Sequence, residues 1–181
     1  MPSARRRGFT LVEMIAVIAI LAIMVGVAVT RIDFMIPRYR LRAAAREVAG
    51  HVKRARSQAA STGKDVYVKY DLGKGTYWLL VAFPKTEEGQ EPVLPPKEFA
   101  YEEFKKEELP EGVDFVNVIA DQTYATGVVT LRVSPFGSLH HHIVNLRNKE
   151  GREIALKVNG FTGAVTFSDK HLQADELLED R

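Results

Sequence analysis

An α+β fold is predicted, a long N-terminal helix packed on an antiparallel β-sheet head, and three observations predict it. The 181-residue chain carries an unbroken apolar run from Met14 to Val29. Apolar residues then recur at spacings of four and three through Leu41, Ala45, Val48, Val52, Ala55 and Ala59, which line one face of a helix. After Gly63 the period shortens to two, Val66, Val68 and Tyr70 alternating with Tyr67 and Lys69, as in a half-buried strand.

The first element is a membrane-length helix. Phe9 to Thr30 spans 22 residues, about 33 Å as a helix and enough to cross a hydrocarbon core. Only Thr10, Glu13 and Thr30 are polar within it. Its Leu, Ile, Val and Phe residues favour insertion by about 4 to 7 kcal/mol, against roughly 3 kcal/mol or less for a carboxylate near one end. Arg5, Arg6 and Arg7 hold the short N-terminus on the cytoplasmic side, so that the chain beyond the span lies outside. A secretory signal peptide has a shorter apolar core with a small-residue cleavage site behind it. An unprocessed anchor needs no acid in its span.

The second element is an amphipathic stalk over residues 31–63. Ala43, Ala44, Ala49 and Ala60 add helix propensity, and Gly63 is the expected C-cap after Thr62. Pro37 falls between span and stalk, leaving open one kinked helix or two helices with a short break. Charge divides at the end of this element. Residues 1–64 carry a balance of +9 and residues 65–181 one of −7, which makes the net +2. Eight bases against Glu47 alone over residues 38–64 invite a nucleic-acid reading. No aromatic residues interleave with them to stack on bases, so a solvated face near anionic lipid or acidic heads is the expectation.

The head should occupy residues 64–167. Val66–Tyr70 and Thr76–Phe83 flank Asp71-Leu72-Gly73-Lys74-Gly75 as a hairpin. Residues 84–112, rich in Pro, Glu and Lys, read as an irregular surface excursion. Val113–Ile119, Gly127–Val133, His142–Leu146, Glu153–Val158 and Ala164–Phe167 are strand candidates, with Asn148-Lys149-Glu150-Gly151 a tight turn. Residues 168–181 read as an exposed acidic tail. The absence of cysteine means that packing alone holds the head in an oxidising compartment.

Gly8-Phe9-Thr10-Leu11-Val12-Glu13 behind Arg5-Arg6-Arg7 resembles the processing site of type IV pilins and type II secretion pseudopilins. The later segments Ala55-Arg56-Ser57-Gln58-Ala59, Leu109-Pro110-Glu111-Gly112-Val113, Phe136-Gly137 and Gly160-Phe161-Thr162-Gly163-Ala164-Val165 resemble the H-type minor pseudopilins and their pilus-associated relatives, the GspH/FimT group. The resemblance implies a type IV pilin-like fold and a basic leader, residues 1–8, removed by a prepilin peptidase between Gly8 and Phe9. It also implies N-methylation of Phe9 and pairing of Glu13 with the Phe9 ammonium of a neighbouring subunit. The implied partners are that peptidase, other pseudopilins or pilins through the N-terminal helix, the inner membrane, and secreted cargo. The implied location is the bacterial inner membrane with a periplasmic head, then a pseudopilus. A minor pilin of a type IV pilus is the alternative.

No enzyme is expected. His140-His141-His142 is the one cluster that tempts, but neighbouring strand residues point to opposite faces, so at most His140 and His142 could share a metal. A polar strand edge or loop is the plainer reading. Ser138 lacks a nucleophile context, and Glu102-Glu103 and Glu107-Glu108 fall in a Lys/Glu run expected to be solvated. Neither a catalytic residue, a metal nor a cofactor is expected.

Overall fold

The computed structural model describes residues 10–84 and 99–180, and the side chains of 27–36, 84, 99 and 178–180 lie outside that description. Helix α1 runs Leu11–Thr62 and contains Pro37, so the helix does not break at that proline. The chain forms two compact units, Met1–Ile36 and Pro37–Arg181.

In the second unit, every residue of the predicted helical seam is buried: Leu41, Ala45, Val48, Val52, Ala55 and Ala59, joined by Ala44 and Ala49. Small side chains on this face let backbone layers approach closely while burying apolar surface. Thr62 ends the helix, and Gly63, at φ +64°, donates its N–H to the Ala59 carbonyl at 2.9 Å. That left-handed conformation is why glycine stands there.

Ten strands lie beyond the helix among the described residues, in two antiparallel sheets. The first sheet has the order β3 (Phe99–Glu103), β2 (Thr76–Pro84), β1 (Val66–Asp71), β7 (Val128–Val133), and the short β4 (Glu107–Glu108) also pairs with β2. The second has the order β10 (Val165–Ser168), β9 (Glu153–Val158), β8 (His142–Asn148), β5 (Val113–Ile119), β6 (Thr123–Tyr124). The β1–β2 hairpin turns where expected, Asp71 Oδ1 accepting the N–H groups of Gly73 and Lys74 at 3.1 and 3.0 Å. Alternation places Val66, Val68 and Tyr70 of β1 and Val129, Leu131 and Val133 of β7 in one core with the helix face and with Val144, Leu146 and Leu156 of the second sheet.

The antiparallel head forms as two sheets because β7 pairs along β1, Val66 opposite Val133 through Asp71 opposite Val128, and not with its sequence neighbours. Two expectations are corrected. The supposed excursion at 84–112 returns as β3 and β4, an edge whose charged residues are what an exposed edge tolerates; its middle lies outside the described residues.

The acidic tail is not a free end. Leu177 is buried, and it forms a second apolar cluster with Ile119, Ile143 and Ala155, with Leu172 packed against it. Asn145, itself fully buried, locks this strap. Its Oδ1 accepts the Leu172 N–H at 3.1 Å, and its Nδ2 donates to the Leu172 carbonyl at 3.0 Å and to Asn117 Oδ1 at 2.7 Å. The apolar residues at 172 and 177 are hard to see among so many acids.

Candidate functional site

The candidate site is the start of α1. Gly8 and Phe9 lie outside the described residues. Thr10 is the N-cap: its Oγ1 accepts the Glu13 N–H at 3.2 Å, and its carbonyl accepts from Glu13 and Met14 at 3.1 and 3.2 Å. Thr-x-x-Glu is the capping-box pattern, and the threonine half of the exchange is formed. Glu13 therefore sits in the first turn, where unpaired N–H groups concentrate partial positive charge and a carboxylate is favoured. In sequence Thr10 reads only as a polar interruption of the span; its spacing to Glu13 is the signal for a cap.

Beyond Glu13 the helix offers no polar face up to Gly26. Leu11 is 76% exposed and Ile23 69%, and Val12, Met14, Ile15, Val17, Ile18, Ile20, Leu21, Met24 and Val25 are exposed too. Water does not stabilise an all-round apolar surface of this size. Among the described residues no helix is long and apolar enough to cross a membrane. The expected span of residues 9–30 extends beyond the described side chains at both ends, so the described helix does not by itself meet that expectation.

The basic stalk answers to its own head. Arg42 bridges Asp169 at 2.7 Å, and Arg54 bridges Glu107 at 2.9 Å, with His51 Nδ1 at 3.7 Å from the same carboxylate. Glu107, expected to be solvated, is thus part of the helix–sheet contact. Burial pushes His51 below the usual histidine value, and the Glu107 charge only partly offsets this.

Of the histidine run, His140 and His141 lie in a loop, as the plainer reading allowed, but His142 does not. His142 opens β8 fully buried, its Nδ1 against the His140 carbonyl at 2.9 Å. Burial lowers its pKa to about 4, the His140 carbonyl acting in the opposite sense. His141 instead takes the Gly160 N–H on Nδ1 at 3.3 Å. Among the described residues no three histidine or carboxylate groups converge on a metal position.

Comparison with known proteins adds the family context. Two solved structures of the minor pseudopilin EpsH from the type II secretion system of Vibrio cholerae are similar to this chain at 13% identity and a TM-score of 0.49 each. One match covers 72% of this chain and 97% of that chain, the other 74% and 96%. No curated protein matches the sequence. Residues 3–29 match the family model of the prokaryotic N-terminal methylation motif, and the chain therefore carries such a motif at the start of its exposed apolar helix.

Proposed function

We propose that this chain is a minor pseudopilin of a type II secretion system, a structural subunit and not an enzyme. A prepilin peptidase removes the leader, residues 1–8, by cutting between Gly8 and Phe9, and the new Phe9 amine is methylated. The apolar helix holds the precursor in the inner membrane with its head in the periplasm, then leaves lipid for the helical core of a pseudopilus. That transfer needs little energy, because both surroundings are apolar.

The observation that carries this reading is the capped helix start under the methylation motif, with Glu13 the one charged residue in the described stretch 10–26 of exposed apolar side chains. Cleavage would create a cation at position 9, at the helix end that already carries partial positive charge. A carboxylate within an apolar bundle is the counter-charge such a group requires, and Glu13 of an adjoining subunit supplies it, setting the axial register.

The test is the intact mass of the chain co-produced with a prepilin peptidase. Loss of residues 1–8 with addition of one methyl group is expected, and Gly8→Glu should leave the leader attached. A mature protein that keeps residues 1–8 would overturn the reading. Deletion in the source bacterium should abolish exoprotein release and leave type IV pili intact; lost pili with normal secretion would make the chain a minor pilin instead.

A further inference from the structure

Three segments far apart in the chain meet around one guanidinium. Arg56 projects from α1 and donates through Nη2 to the Phe161 carbonyl at 3.3 Å. The same Nη2 would lie 3.3 Å from a Cβ at Gly137, and a Cβ at Gly163 would collide with Nη1. Glycine at 163 is therefore what lets the loop at 159–163 close against Arg56, and the loop at 134–138 reaches the same guanidinium at Gly137. Gly160 is equally constrained, since a side chain there would strike the Leu139 carbonyl.

Each loop is locked internally and carries a phenylalanine outward. In the first, Gly137 donates to the Ser134 carbonyl at 2.8 Å, Ser134 to the Ser138 carbonyl at 2.8 Å, and the two serine hydroxyls meet at 2.8 Å. In the second, Asn159 Oδ1 accepts the N–H groups of Phe161 and Thr162, both at 3.0 Å, and Gly163 donates to the Asn159 carbonyl at 2.7 Å. Phe136 is nonetheless 96% exposed and Phe161 73%. Two aromatic rings held in water by loops this constrained lose little entropy on binding, and Phe and Arg are both enriched at protein interfaces.

Charge states the chemistry of the occupant. Neither 134–142 nor 159–168 contains an acid. Among the described residues Arg56 has no carboxylate partner, and Asp65, beside the end of β7, is already held by Arg132 at 2.9 Å. On a head with a balance of −7 over residues 65–181, this corner is a cationic, aromatic exception.

We infer that Phe136, Arg56 and Phe161 form a docking surface for an acidic segment of another protein, whose carboxylate meets Arg56 while apolar neighbours cover the two rings. The single guanidinium suits one carboxylate rather than a phosphate backbone, which is held by many bases. This surface goes beyond the pseudopilin reading and stands without it.

The test uses the full chain in its source bacterium with a photo-crosslinking amino acid at Phe136 or Phe161, and at Glu150 in the β8–β9 turn as a control. Both phenylalanine sites should capture one protein, through a segment carrying Asp or Glu between apolar residues, and Glu150 should not. Phe136→Ser should leave the melting temperature unchanged, its side chain being exposed, yet cut crosslinking from position 161. Arg56→Glu should reduce capture about tenfold, as loss of a charge-assisted contact does, and Lys in place of the captured acid should restore it. Absence of capture, capture that ignores Arg56, or capture of a second copy of this chain would each overturn the inference. So would binding of oligothymidine to the purified chain that Phe136→Ser and Phe161→Ser both abolish, which would assign the surface to single-stranded nucleic acid.

Discussion

Two stretches of the same helix solve opposite problems. From Leu11 to Val25 large Leu, Ile, Val and Met side chains surround the axis and are exposed, whereas from Leu41 to Ala59 small Ala and Val residues occupy one face and are buried. Helix propensity alone does not separate them; residue size and angular distribution do. Among the described residues the first stretch leaves its large apolar side chains exposed. The second has its partner in the two sheets, and Arg42 and Arg54 bridge from it to acids of the same head. Apolar content therefore says little about where a helix packs; its distribution around the axis says much more.

The largest expected effect comes from placing the same carboxylate in each stretch. Val52→Asp would bury an unpaired charge among apolar side chains, at a cost on the order of 4 kcal/mol. That is a large fraction of a total stability that is typically about 5 to 15 kcal/mol, and a urea titration would read it as a lowered midpoint. Leu21→Asp should leave the urea midpoint where it was and instead move the chain out of the membrane fraction. Equal loss of head stability in both variants would remove the contrast between the two stretches.

Acid should act on the head next. His142 is held neutral with a pKa of about 4, and His51 is lowered in the same direction, both by burial. Between the unfolded value near 6.5 and the folded value, the unfolded chain binds more protons, so stability is complete above about pH 6.5 and falls as pH drops towards 4. For His142 alone the loss reaches about 3 kcal/mol at pH 4. Urea midpoints at pH 7 and pH 4.5 measure it; a flat profile would mean that His142 titrates normally. The exposed stretch, with no histidine of its own, should show no such dependence.

Smaller effects probe the strap. Asn145→Ala removes the side chain that holds Leu172 and Asn117, and should cost about 2 kcal/mol while exposing the C-terminal segment to limited proteolysis. If the strap stays protected, the Leu177 cluster is sufficient to hold it. Arg42→Ala breaks an exposed pair with Asp169 and should change stability by less than about 1 kcal/mol; a larger loss would mean that stalk and head depend on that bridge.

Legibility followed locality. The buried face of the stalk was readable residue by residue because a helix repeats within four positions. So were the Gly63 cap, the β1–β2 turn and the Asn148–Gly151 turn, whose chemistry lies within a few residues. The methylation motif was readable for the same reason, while Gly8 and Phe9 themselves stay with the proposal. Missed were β3, disguised by its glutamates, and the strap, disguised by its acids. His142 was misread as edge chemistry because its neighbours in the run are polar.

What residue order decided alone was the kind of each main element, the inward face of the stalk, and the charge at the start of α1. What only folding in three dimensions decided was which strand lies beside which. Alternation in β7 says that Val129, Leu131 and Val133 point inward, yet it fits a place beside β5 as well as one beside β1. The choice of β1 made two sheets, and packing of the tail then buried β8 from both sides. Arg56, Phe136 and Phe161 became neighbours by the same route, because contacts between distant segments depend on the whole chain closing around one core, which no short-range period encodes.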